Sequence, residues 1–158
     1  MPKPAAFPKP GHNHARCSSD ALRKAEALCA ARGVRLTDIR REVLSLVWQS
    51  HVPIGAYDIL AKLNEGGGKT APMAVYRALE FLMEQGLVHR LASLNAYIGC
   101  AHMDDEHAAQ FLICKKCGTA AELENAPLTR ALNQAVAERG FTMDSQVVEI
   151  SGLCPHCA

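Results

Sequence analysis

Two stretches decide the fold: FLICKKCG at 111–118 and QVVEISGLCPHC at 146–157. Each is an apolar, β-branched run that ends in Cys-x-x-Cys, so each predicts a strand delivering a two-thiolate knuckle. A Cys-x-x-Cys turn aims two sulfurs at one point. Two such turns, Cys114 with Cys117 and Cys154 with Cys157, supply the four thiolates of a closed tetrahedral zinc shell, and Gly118 relaxes the backbone where amides approach sulfur. The 36 residues from 118 to 153 exceed the usual zinc-ribbon spacing of roughly 15–20, so they must hold structure of their own. Asn125 and Pro127 open a helix there, with Leu128, Ala131, Leu132 and Ala135 on one side and Gly140 as its stop. The second half is thus a small α/β unit stapled by metal, as suits a segment of this size.

Seven cysteines in 158 residues do not read as a disulfide framework. The count is odd, and no secretory leader is evident in MPKPAAFPKPGHNHARC. No stretch approaches the roughly 18 apolar residues of a membrane helix. A soluble cytoplasmic protein is the expectation. A redox dithiol would need a thioredoxin-like βαβ frame, which is not found. Catalytic zinc needs an open coordination position, which four thiolates deny, and no H-x-E precedes a P-C-x-x-C. The chain is therefore read as a non-enzyme.

Upstream, the grammar changes. Residues 1–16 carry four prolines and no apolar period, which predicts a flexible tail; His12 and His14 within it are expected in solvent and are assigned no role. Helices are predicted at about 19–31, with Leu22, Ala25 and Cys29 inward, and from Thr37, with Ile39, Val43 and Leu46 on one face. A third near 55–64 turns Ala56, Ile59, Leu60 and Leu63 inward before GGGK. The fourth, APMAVYRALEFLMEQG, lines Val75, Ala78, Leu79 and Leu82 on one face and leaves Tyr76 and Arg77 free. LVHRLASLNAYIGC then reads as a hairpin around Ser93, Leu94 and Asn95. Helices followed by a hairpin make a winged helix-turn-helix, so the fold class is α+β. The expected divisions are a tail at 1–16, a winged-helix DNA-binding domain at 17–100 and a zinc-binding dimerisation domain at 101–158.

Within that arrangement Arg77 can fork onto a guanine or phosphate, and Tyr57 and Tyr76 can meet phosphates or thymine methyls of double-stranded DNA. Charge agrees in sense: residues 1–16 hold three basic and no acidic side chains, 17–100 ten and eight, 101–158 four and eight. The front is basic and the back acidic. Further metal-ligand types lie between the halves, namely His89, Cys100, His102, Asp104, His107 and Glu122. A two-residue turn at Leu94 and Asn95 would set His89 opposite Cys100, whereas a slip of one residue would send them to opposite faces. A mixed set of two imidazoles, a thiolate and a carboxylate suits zinc.

From about Leu36 to Cys157 the sequence resembles the ferric uptake regulator superfamily: R-L-T-x-x-R at 35–40, VYRALEFLMEQG at 75–86, and the CKKCG and GLCPHC knuckles. Within it the chain is most similar to the zinc uptake regulator branch. That resemblance implies a regulatory zinc held by His89, Cys100, His107 and Glu122, with His102 as an alternative to His107, beside the structural zinc of Cys114, Cys117, Cys154 and Cys157. It also implies two zinc ions per chain, a homodimer joined through the C-terminal halves, binding to an AT-rich inverted repeat, and repression of zinc-uptake genes. Arg139 stands where an iron-type relative would carry a late histidine. An iron- or peroxide-sensing regulator of the same superfamily and a zinc-stapled interaction adaptor are the alternatives.

Overall fold

The computed structural model describes residues 7–9 and 11–158. Ten elements follow in order: α1 (His14–Ala31), α2 (Asp38–Val47), α3 (Ala56–Leu63), α4 (Pro72–Glu84), β1 (Val88–Leu91), β2 (Ala96–Gly99), β3 (Ala109–Cys114), β4 (Ala120–Glu122), α5 (Ala126–Ala137) and β5 (Val147–Gly152). The four helical stripes expected upstream meet in one core. Ala25, Cys29, Val43, Leu44, Ile59, Val75, Leu79 and Leu82 are buried there, with Leu22, Ile39, Leu46, Leu60 and Leu63 packed against them.

α1 begins five residues before its expected start at 19. Asn13 caps it, its side chain accepting the Arg16 amide at 3.2 Å, so the polar turn His14–Cys17 is helical although it adds nothing to the apolar stripe. The tail expected at 1–16 therefore runs into helix at its end, while residues 1–6 and 10 lie outside the described residues. Phe7 is buried, packed with Cys114, Ala121 and Cys154.

α4 ends in a Schellman turn. Gly86, at φ 68°, donates to the Met83 carbonyl at 3.0 Å and Leu87 donates to Leu82 at 2.9 Å, which reverses the chain directly into β1. β1 and β2 pair antiparallel with His89 opposite Ile98 and Leu91 opposite Ala96, and Ile54 adds a bridge to Tyr97, which completes the wing. The connection is therefore the four residues Ala92–Asn95, not the two expected, and Asn95 takes a left-handed φ of 46° that asparagine tolerates. Cys100 lies opposite Leu87, to which its amide donates at 3.0 Å, instead of opposite His89. The register differs from the expected one by two in the pair sum. Parity is kept, so His89 and Cys100 still share a face as diagonal neighbours.

The second half is a three-stranded sheet in the order β4-β3-β5, with β3 and β4 antiparallel and β3 and β5 parallel. α5 is the connection that lets β5 return parallel to β3. Its N-cap is Asn125, accepting the Leu128 amide at 3.0 Å, and the buried Gln110 of β3 holds it through a 2.8 Å bond to Thr129. No residue of α5 is buried, and Phe141, Val147, Ile150 and Leu153 are exposed. Of the apolar side expected of α5, Leu128 and Leu132 are only partly buried within one chain and Ala131 and Ala135 are exposed.

Candidate functional site

The knuckles converge. Cys114 and Cys154 close β3 and follow β5, so the parallel pairing of those strands brings the two Cys-x-x-Cys turns side by side. The four sulfurs lie within 4.8 Å of one another. Cys117 and Cys154 are 3.9 Å apart, close to the roughly 3.8 Å between ligand sulfurs around a tetrahedral zinc with Zn–S of about 2.3 Å. Gly118 takes φ 77°, which frees its amide to close the first knuckle onto the Cys114 carbonyl at 3.0 Å. Backbone amides of Cys117 and Cys154 point at the Cys114 sulfur and pull that thiol down to about 6, favouring the thiolate that a metal requires. The donor set fits a closed zinc site.

A second cluster joins the halves. His89 on β1, Cys100 just past β2, His107 ahead of β3 and Glu122 at the end of β4 bring one donor atom each within 4.8 Å of the others. The Cys100 sulfur is 3.7 Å from His107 Nε2, His107 Nε2 contacts Glu122 Oε1, and that oxygen is 3.6 Å from His89 Nε2. His107 Nδ1 is turned to the Asp105 carbonyl at 2.8 Å, the outward bond that orients a ligand imidazole. Glu122 uses its other oxygen to accept the Ala101 amide at 3.1 Å.

Electrostatics without a cation are unfavourable there. Burial, then the nearby Glu122 carboxylate, push the Cys100 thiol up to about 12; burial lowers His89, against the pull of Glu122, and its Nε2 is buried without a hydrogen bond. A dication would reverse these penalties, and a neutral imidazole, thiolate and carboxylate set fits zinc. His102 stands outside the four, 4.0 Å from Glu124, and Asp104 is paired with Lys24 at 2.6 Å.

Away from both clusters' ligands, Tyr57 is 73% exposed, and it lines with Tyr76, Leu94 and Asn95 a concavity of about 480 Å³. Arg77 is exposed one residue further round α4, outside that concavity. Met73, in the first turn of α4, is also exposed; nothing in its residue type marked it. Two other groups escaped the sequence reading. Glu149 of β5 accepts the amides of Ala92 at 2.7 Å and Ser93 at 3.1 Å, so the second half holds the wing turn directly. The His51 carbonyl accepts the Ala120 amide at 3.0 Å, tying the α2–α3 connection to β4. A lone glutamate or histidine on a polar segment gives no signal for such contacts.

A winged helix whose hairpin root carries metal donors, completed by donors from the following α+β unit, defines the class of metal-dependent DNA-binding regulators. Residues 31–151 match the Ferric uptake regulator family, and the chain belongs to that family. It is 39% identical over 142 residues to the zinc uptake regulation protein of Escherichia coli (strain K12), spanning 89% of this chain and 82% of that protein. Among solved structures, a zinc uptake regulator complexed with zinc and DNA matches with a TM-score of 0.83 at 38% identity, over 88% of this chain and 93% of that one. The holo form of XcZur matches at 0.80 and its apo form at 0.54, both at 40% identity, over 88% and 89% of this chain and 96% and 97% of theirs.

Proposed function

We propose that this chain is a zinc-responsive transcriptional repressor, acting as a homodimer on double-stranded DNA to control zinc-uptake genes in the cytoplasm. The observation that carries this reading is the meeting of His89, Cys100, His107 and Glu122 at the junction of wing and sheet. The working divisions are a DNA-binding head at 17–100 and a dimerisation unit at 101–158, with two zinc ions per chain. Cys114, Cys117, Cys154 and Cys157 hold the structural zinc. The mixed set holds the regulatory one, and a zinc ion there supplies a dication that compensates a buried thiolate and carboxylate.

His89 and Cys100 belong to the wing, His107 and Glu122 to the segments around the sheet. When all four share one ion, the wing root is fixed to the dimerisation unit, and with it the orientation of α4. Tyr57, Tyr76 and Arg77 then meet DNA from a set direction, and the two heads of a dimer span an AT-rich inverted repeat at a fixed spacing. The closer match to the holo form of XcZur than to its apo form supports a metal-competent arrangement of the halves. The exposed Val147 and Ile150 of the edge strand β5, with an α5 that has no fully buried residue, support dimerisation through the second half.

Ligand type favours zinc over iron or manganese, because Cys100 is a soft donor. Arg139 does not act as a late ligand: its guanidinium folds back onto the Ala135 carbonyl at 2.8 Å. Among the described residues the four-cysteine and mixed clusters each present four protein ligands, so neither leaves an open position beside a general base for catalysis. The test is a mobility-shift titration of inverted-repeat DNA with anaerobically purified protein in buffered zinc, iron or manganese. Zinc should raise affinity some 5–150-fold, the range of a coupling of about 1–3 kcal/mol. Equal or greater enhancement by iron would transfer the protein to the iron-sensing reading, and no DNA binding with any metal would leave an interaction adaptor.

A further inference from the structure

We infer that His12, His14 and His51 form a third divalent-metal site, distinct from the four-cysteine and mixed clusters. His12 precedes α1, His14 is its first residue, and His51 lies in the connection from α2 to α3. Their ring centroids are 4.0, 4.7 and 4.9 Å apart, and each offers a nitrogen within 4.8 Å of the other two. They are part-buried, not dispersed in solvent as the sequence leads one to expect.

Packing of three rings does not account for the nitrogens. Nε2 of His12 and Nε2 of His51 face each other at 2.8 Å, an arrangement that a single shared proton or a cation must relieve. Nδ1 of His14 is buried without any hydrogen-bond partner. Among the described residues no carboxylate forms an ion pair with any of the three. Burial, then the neighbouring His12 and His14, lower His51 to about 4, so its lone pair is available at neutral pH. Ligand nitrogens around a tetrahedral zinc at about 2.0–2.1 Å stand roughly 3.3 Å apart, which small ring rotations provide here. Three imidazoles suit zinc, copper(II) or nickel(II).

The site is well placed to act on the seam. It opens on a cavity of about 260 Å³ whose wall includes Phe7, Cys117, Cys154 and Cys157, leaving room for a fourth ligand such as water. An ion there would staple the start of α1 to the connection that already holds Ala120 through the His51 carbonyl. Three neutral donors without a thiolate or carboxylate make this the weakest of the three sites, filled last as zinc rises. The site stands on these histidines alone and does not depend on the DNA-binding reading.

The experiment is equilibrium dialysis of the intact protein against chelator-buffered zinc, followed by elemental analysis. Wild-type protein should take up one zinc per chain more than the His12→Ala/His14→Ala double variant at saturating zinc. His51→Ala should lose the same equivalent, and His156→Ala, on the cavity wall but outside the triad, should keep it. Circular dichroism of the double variant verifies that its fold is retained. Copper(II) added to protein holding zinc in the first two sites only should give an electron paramagnetic resonance spectrum with nitrogen couplings that the double variant lacks. Equal zinc uptake by wild-type and double variant, or loss in the double variant without loss in His51→Ala, would overturn the site.

Discussion

The four-cysteine cluster and the mixed cluster gather metal-donor side chains in opposite topologies. The first draws every ligand from the second half, two pairs each local to one turn, and needs only the pairing of β3 with β5 to close. The second draws one residue from each of four places on both sides of the junction. A closed shell of local thiolates holds a domain together; a shell spread across a seam can report whether that seam is closed. On the proposed function, the coupling of metal to folding belongs to the first and the coupling of metal to DNA to the second.

The largest effect should come from breaking the first cluster. Cys114→Ser should unfold the second half and abolish dimerisation, since structural zinc sites of this kind contribute on the order of 10 kcal/mol to folding. Sedimentation and zinc analysis check this; a folded, zinc-poor dimer would reduce the two clusters to equivalents.

A steric change can separate them without touching a ligand. A Cβ on Gly99, the residue before Cys100, would overlap the Trp48 ring, which packs against the helical core. Gly99→Ala should cost about 1–3 kcal/mol of stability and displace Cys100, weakening the second zinc while leaving the four-cysteine zinc in place. Chemical denaturation together with zinc stoichiometry reads both effects.

Arg77→Ala should touch neither cluster. It should weaken operator binding by about 1–3 kcal/mol with both zinc ions and the dimer retained, as measured by DNA titration. Unchanged affinity would remove Arg77 from the interface.

The smallest effect concerns the metal-free bridge. Hydrogen bonds from Ser93, together with the Ala92 amide and the charge of Arg90, hold the Glu149 carboxyl below its ordinary range. A depressed folded pKa means that the contribution is present above the ordinary carboxylate range and is lost as pH falls through the folded value. Glu149→Gln should lower thermal stability by roughly 1 kcal/mol or less at neutral pH, discounted for solvent screening, and the gap to wild type should close in acid. A gap independent of pH would mean that Glu149 acts through packing alone.

How much of this was legible follows from the same contrast. The four-cysteine site could be read because each knuckle is local and needs two residues at fixed spacing. The helical stripes could be read because burial repeats every turn. β4, at Ala120–Glu122, is too short to show an alternation, and the start of α1 is set by the Asn13 cap instead of by apolar residues. The wing register could not be fixed because the turn Ala92–Asn95 carries no two-residue hairpin signature, yet the error preserved the face on which His89 and Cys100 lie. The mixed set came from resemblance, since no spacing in sequence joins His89 to Glu122. The cluster of His12, His14 and His51 could not be read, because 36 residues, 15 to 50, separate His14 from His51.

The central claim is that the mixed cluster, and not the four-cysteine one, links zinc to DNA. Cys100→Ser tests it most directly, with bound zinc and operator affinity measured on one preparation at a zinc level that fills the first two sites in wild type. The variant should stay folded and dimeric, keep the four-cysteine zinc, lose the mixed-site zinc and bind operator with the same weak affinity with or without added zinc. Full zinc-dependent operator binding by Cys100→Ser would contradict it and return Cys100 to ordinary packing at the end of the wing.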